Sequence, residues 1–146
     1  MDKSDLLDEI RLEVGLVTEY ANSQSEFYHG IIEAFGKYII EGYSVGIYLT
    51  DDISFQLVSS VGSISYETKE FFGHGHLSLC AIKGHISTID LGYSIRLFAP
   101  FYENHHLIGI LVFHLPKMKY QITEEDLIFV QEICRHIELN QNQYSN

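Results

Sequence analysis

The chain has 146 residues, 20 of them Asp or Glu and 9 Lys or Arg, for a formal net charge of -11. That length suits one domain, and 46% hydrophobic residues exclude a disordered acidic tail. The acidity speaks against binding nucleic acid or anionic membranes, both of which need stripes of Lys and Arg.

Residues 4 to 20 read as a helix. Ser4 is the expected N-cap, and Asp5 and Asp8 sit in the first turn, where the helix dipole favours them. Leu6, Ile10, Val14 and Val17 recur at helical spacing, and Leu7 and Leu12 widen the stripe. A second helix is expected from Ser25 to Ile40, with Phe27, Ile31, Phe35 and Ile39 on one face and Gly42 as its stop.

The pattern then turns to strands. Ser44 to Leu49 (SVGIYL) and Ile53 to Ser60 (ISFQLVSS) are joined by the turn Thr50-Asp51-Asp52. The stretch from Ser63 to Phe72 reads as a short helix or a loop. Gly73-His74-Gly75-His76 leads into a short helix, about Leu77 to Lys83, stopped by Gly84. Three strands follow: HISTI at 85–89, SIRLFAPFY at 94–102 and LIGILVFHL at 107–115. Thr123 to Asp126 is a capping-box variant with Asp at the third position. It opens a last helix bearing Leu127, Val130, Cys134 and Ile137 on one face.

Two short hairpins require a largely antiparallel sheet. The expected fold class is therefore α+β, in one domain over residues 1–146. The terminal helices, 4–41 and 123–140, share one sheet face. The short helix covers the other, and sheet and pocket span 44–115.

Cys80 and Cys134 are too few for a disulfide scaffold and fit a reducing compartment. No segment approaches the roughly 20 apolar residues that span a bilayer. The start MDKSDLLDEI is charged from its second residue, unlike a signal peptide. A complete, cytoplasmic protein is the expectation.

Four pieces of this sequence resemble GAF domains, small-molecule sensor modules related to PAS domains. SVGIYLTDDISFQLVSSVG resembles the opening strand pair, and GHGHLSLCAIKGHISTID the pocket helix and next strand. SIRLFAPFYENHHLIGILVFHL resembles the paired strands with an internal Pro, and ITEEDLIFVQEICRHIEL the closing helix. Together they cover roughly residues 20 to 140.

The resemblance implies a pocket between the sheet and the short helix. A helix entered through Gly73 and Gly75 is expected to aim unpaired N–H groups outward, which suits an anion or a carbonyl oxygen. Ile47, Leu49, Phe55, Leu57, Phe98 and Phe101 are candidate apolar lining, of which strand alternation turns only some inward. The chain is similar in size and acidity to stand-alone nitrate-receptor GAF proteins. That likeness places ligand-binding amides at His76, Leu77 and Ser78, with Arg96 or its neighbours across on the facing strand, and Gly75, Leu57 and Phe98 complete the expected ligand-binding set. The indole of those receptors has no counterpart, since the chain has no Trp.

The chain is also similar to free methionine-R-sulfoxide reductases, an enzymatic GAF class. Their helix-start cysteine falls at Leu77, whereas Cys80 lies nearly a turn later and the downstream cysteine is absent. The thiol chemistry needs an activated thiolate and a resolving partner. The pattern for cyclic-nucleotide binding is missing, and Cys80 alone makes no bilin site. His74, His76 and His85 show no known metal spacing, and no P-loop or Ser-His-Asp order is present. No cofactor and no catalytic residue is expected.

The leading reading is a non-catalytic sensor that binds a small, nitrate-like or otherwise anionic ligand and regulates a partner such as a sensor kinase. Alternatives are a dimerisation or interaction module with a vestigial pocket, and the reductase. Apolar residues wrap most of the first helix, so a homodimer through the terminal helices is expected. Fourteen of the acidic residues and only four of the basic ones fall in residues 1–42 and 120–146. The sheet and pocket region is near neutral, which admits a small anion.

Overall fold

A computed structural model describes residues 2–39, 42–63 and 65–144. Ile40 and Glu41, where the second helix was expected to end, and Ser145 and Asn146 of the tail lie outside the described residues.

Six strands form one sheet: β1 Ser44–Thr50, β2 Ser54–Gly62, β3 Lys69–Phe71, β4 Ser87–Asp90, β5 Ser94–Glu103 and β6 His106–Pro116. Their order is β3-β2-β1-β6-β5-β4, with every neighbouring pair antiparallel. The helices are α1 Lys3–Tyr20, α2 Gln24–Gly36, α3 His76–Lys83 and α4 Glu124–Asn140. This is the expected α+β arrangement, with one strand more than the sequence announced. Strand β3 arises inside the stretch read as helix or loop.

Local chemistry sets most boundaries. The cap of α1 is Asp2, not Ser4: the Asp2 carboxylate accepts the Asp5 N–H at 2.9 Å. Ser23 caps α2 through the Glu26 N–H at 3.1 Å. That helix stops at Gly36, well before Gly42, in a turn closed by Tyr38 N–H on Phe35 O. At α4, Asp126 reaches back to accept the Thr123 N–H at 2.8 Å, as its capping-box spacing predicts.

Alternation in the strands splits the core in two. Val45, Ile47, Leu97, Ala99, Phe101, Leu111 and Phe113 point to the helical side and pack with α1, α2 and α4. Phe35 binds the layers there, with its ring edge-on to Phe113 at 5.3 Å and to Phe129 at 6.0 Å. Tyr48, Phe55, Phe98, Ile110 and Val112 point the other way and pack with Leu77 and Cys80 of α3.

The helical side departs from the expected single layer. Helices α2 and α4 lie on the strands, while α1 packs chiefly on those two helices. Leu7, Ile10, Val14 and Val17 bury its inner stripe, leaving Leu12, Leu16 and Tyr20 exposed at 60%, 39% and 57%. No helix among the described residues is long and apolar enough to cross a membrane.

Candidate functional site

A cavity of about 550 Å³ opens between α3, the sheet face beneath it and the stretch before α3. Its floor is sheet: Tyr48 of β1, Arg96 and Phe98 of β5, and Val112 of β6. These side chains share a face because Arg96 and Phe98 are two residues apart, and Phe98 pairs with Val112 across the β5–β6 ladder. The remaining lining comes from Tyr66, Glu67, Lys69, Glu70, Phe71 and His74, and from the α3 entry, Gly75 to Leu77.

Arg96 supplies the fixed positive charge on the floor. Its Nε donates to His114 Nδ1 at 3.2 Å, and its guanidinium lies 5.2 Å from the centre of the Tyr66 ring. Accepting that bond requires an unprotonated Nδ1 on His114. Burial first, and then the Arg96 charge, lower the His114 pKa and favour that neutral form. Among the described residues no carboxylate forms an ion pair with Arg96. Tyr48 and Tyr66 stay protonated phenols, because burial pushes each up to about 12. The Tyr66 hydroxyl accepts from Ser44 Oγ at 3.0 Å, and the Tyr48 hydroxyl donates to Glu67 O.

The start of α3 differs from the expectation. Two of the amides expected to meet a ligand, those of Leu77 and Ser78, are already taken. The Glu70 carboxylate accepts the Leu77 N–H at 3.2 Å, the Ser78 N–H at 2.9 Å and the Ser78 hydroxyl at 2.9 Å. A carboxylate is the natural occupant of such a terminus. Gly75 makes room for it, since a Cβ there would stand 2.5 Å from Glu70 Oε1. At the far end Gly84 closes α3 in the left-handed region, φ 73°, with its N–H on Cys80 O.

The residues singled out from sequence divide accordingly. Gly75, His76, Leu77, Arg96 and Phe98 meet around the cavity. Ser78 does not line it; its amide and hydroxyl hold Glu70, and it borders a separate groove of about 440 Å³ with Phe55 and Phe72. Leu57 also misses the lining, packing one strand out against the α3-side cluster. Of the other apolar candidates, Ile47 and Phe101 face the helices. Tyr48, Tyr66, Glu67 and Glu70 were not foreseen. The signal for Glu70 was a carboxylate five residues before Gly75, in a stretch without periodicity.

Neither thiol lines the cavity. Cys80 and Cys134 are free and buried, in the clusters on opposite sheet faces. Burial raises both pKa values, Cys134 strongly. Leu77, near which the resemblance puts the reductases' cysteine, is a buried hydrocarbon side chain. Among the described residues no group of three or more His, Cys, Asp or Glu side chains converges on a metal position.

No protein-family model matches the sequence, and no curated protein matches it. Solved structures do. Free methionine-R-sulfoxide reductase from Neisseria meningitidis, in complex with its substrate, matches with a TM-score of 0.81 at 19% identity, over 97% of this chain and 92% of that one. A putative GAF sensor protein from Burkholderia vietnamiensis matches at 0.79 and 13% identity, over 98% of each chain. The GAF domain of an Acinetobacter phosphoenolpyruvate-protein phosphotransferase matches at 0.75 and 17%, over 98% of this chain and 96% of that one. The chain has the GAF fold, a fold that serves an enzyme and sensors alike.

Proposed function

We propose that this protein is a cytoplasmic, non-catalytic sensor whose cavity takes a small acidic metabolite and whose occupancy is read by a partner protein. The observation that carries the reading is Arg96, an arginine on the floor of a metabolite-sized cavity with no carboxylate partner among the described residues. A volume of about 550 Å³ lies within the range of small-molecule sites and far exceeds a bare nitrate ion. The ligand is therefore larger than nitrate, with an acidic group for the guanidinium and an apolar part for Phe98 and Val112. Tyr66 stacks on the guanidinium from within the same lining, which favours a planar, bidentate acceptor such as a carboxylate.

Against thiol chemistry stands the placement of both cysteines away from the cavity, with burial opposing their ionisation. The two buried free thiols also favour the cytosol as compartment. In this reading the domain signals by contact with another protein, such as a sensor kinase. The exposed Leu12, Leu16 and Tyr20 of α1 are the face we assign to pairing, with a second copy as occupant. The test of the ligand reading is calorimetric titration with small carboxylates, nitrate and nitrite, using the wild type and Arg96→Met.

A further inference from the structure

The outer wall of the cavity is a single stretch, residues 65–75, which supplies just over half of its lining residues. Only Lys69–Phe71 of this stretch form a strand, and that strand pairs with β2 over three residues. Elsewhere it is fastened to the sheet by individual bonds. Tyr66 is held by Ser44 and Glu67 O by Tyr48, while Thr68 O accepts the Leu57 N–H at 2.9 Å. Beyond the strand lies Gly73, at φ 88° with open space where a Cβ would be, an unpacked joint in the chain.

On the α3 side the fastening is Glu70. Its carboxylate collects three donors from Leu77 and Ser78, and the Ser78 hydroxyl in turn accepts the Gly73 N–H at 2.9 Å. Charge-assisted bonds to a helix start are the strongest single links this wall makes. The missing Cβ of Gly75 is what lets the carboxylate approach. The stretch and α3 are adjoining walls of the same cavity, and the bonds of Glu70 join them.

We propose that residues 65–75 are a strap over the cavity and that Glu70 is its latch, released from α3 when ligand enters or leaves. Its purpose rests on the reading of the cavity as a ligand site; its mechanics do not. With Glu70 on α3 the strap is closed and Val112, only 1% exposed, is shielded on the floor. With Glu70 off, the strap pivots between its pairing to β2 and the joint at Gly73.

The test needs no ligand. Val112→Cys places a thiol on the floor, and its rate of modification by a hydrophilic methanethiosulfonate reagent reports opening. Cys134, buried on the opposite face, reports global unfolding in the same sample, each site being followed by peptide mass. Adding Glu70→Gln, which keeps the volume but not the charge, is expected to speed modification at position 112 at least tenfold. Adding Gly75→Ala, whose methyl displaces the carboxylate, is expected to act in the same direction. Cys134 should not change in either. An unchanged rate at position 112 overturns the latch, and so does a parallel rise at Cys134, which would make Glu70 a stabilising cap and nothing more. Should Val112→Cys fail to fold, amide exchange decides. Glu70→Gln should raise exchange at Leu77 and Ser78 at least tenfold while β5 and β6 keep their protection, and equal exchange overturns the proposal. Labelling that behaves as expected beside a titration without heat would keep the latch and discard the ligand reading.

Discussion

His114 and His136 both have pKa values lowered by burial, and in both the fold prefers the neutral imidazole. His114 must be neutral at Nδ1 to orient Arg96. His136 lies against the Phe27 ring, with its Nε2 buried and unpartnered. The sign of the pH dependence follows. As pH falls through the unfolded-state value of about 6.5, the unfolded chain takes up protons that the folded chain refuses. Stability is then fully present above that value and declines toward acid, until the folded-state values are reached. Asp51, lowered by hydrogen bonds within its turn, and Asp90, lowered first by the Lys117 ammonium, titrate well below this window and do not enter it. Denaturant unfolding at about pH 7.5 and about pH 5.5 should show the lower stability at the acid end. His136→Phe should make the difference smaller; an unchanged or reversed difference would contradict the assignment. The setting of His114 in an apolar strand was legible in the sequence, whereas the burial of His136 was not, because it depends on which element covers it.

Among the elements, α1 and α4 are tied at their starts by one carboxylate. Asp126, nearly buried, receives the Lys3 ammonium at 2.7 Å, the Tyr120 hydroxyl and the Thr123 N–H. Asp126→Ala removes a cap and strands two donors, so it should cost on the order of 3 kcal/mol in denaturant unfolding. A loss below about 0.5 kcal/mol would mean that this junction carries no stability. The capping box itself was readable from Thr123 and Asp126, whereas its link to Lys3 spans the whole chain and left no local trace. The same distinction explains the strands. Strands β1, β2, β5 and β6 carry β-rich apolar runs and were found where expected, and β4 within two residues. Strand β3 has only three residues, two of them charged, and exists because β2 offers it an edge. The cavity wall was missed with it. Helix α1 shows the converse: its stripe was legible, but not that the stripe meets α2 and α4 instead of the sheet.

At the scale of the molecule, the charge separates into regions with different tasks. The acidic excess belongs to the helical side, and the residues between are nearly neutral. The cavity joins two carboxylates of the strap, Glu67 and Glu70, to one floor cation, Arg96. Glu70 is spent on α3, so the cations left to accept an anion in the cavity are Arg96 on the floor and Lys69 on the wall, the latter lying against the Phe71 ring, in place of the helix start foreseen from Gly73 and Gly75. That change moves the expected ligand from an inorganic anion on backbone amides to a larger acidic molecule on a guanidinium. The most direct measurement is calorimetry of the wild type and Arg96→Met against a panel of small carboxylates, with nitrate and nitrite alongside. Heat is expected with at least one carboxylate and none with nitrate, and Arg96→Met should bind at least tenfold more weakly with an unchanged unfolding midpoint. No heat with any carboxylate, or equal affinity in both proteins, would contradict the ligand reading.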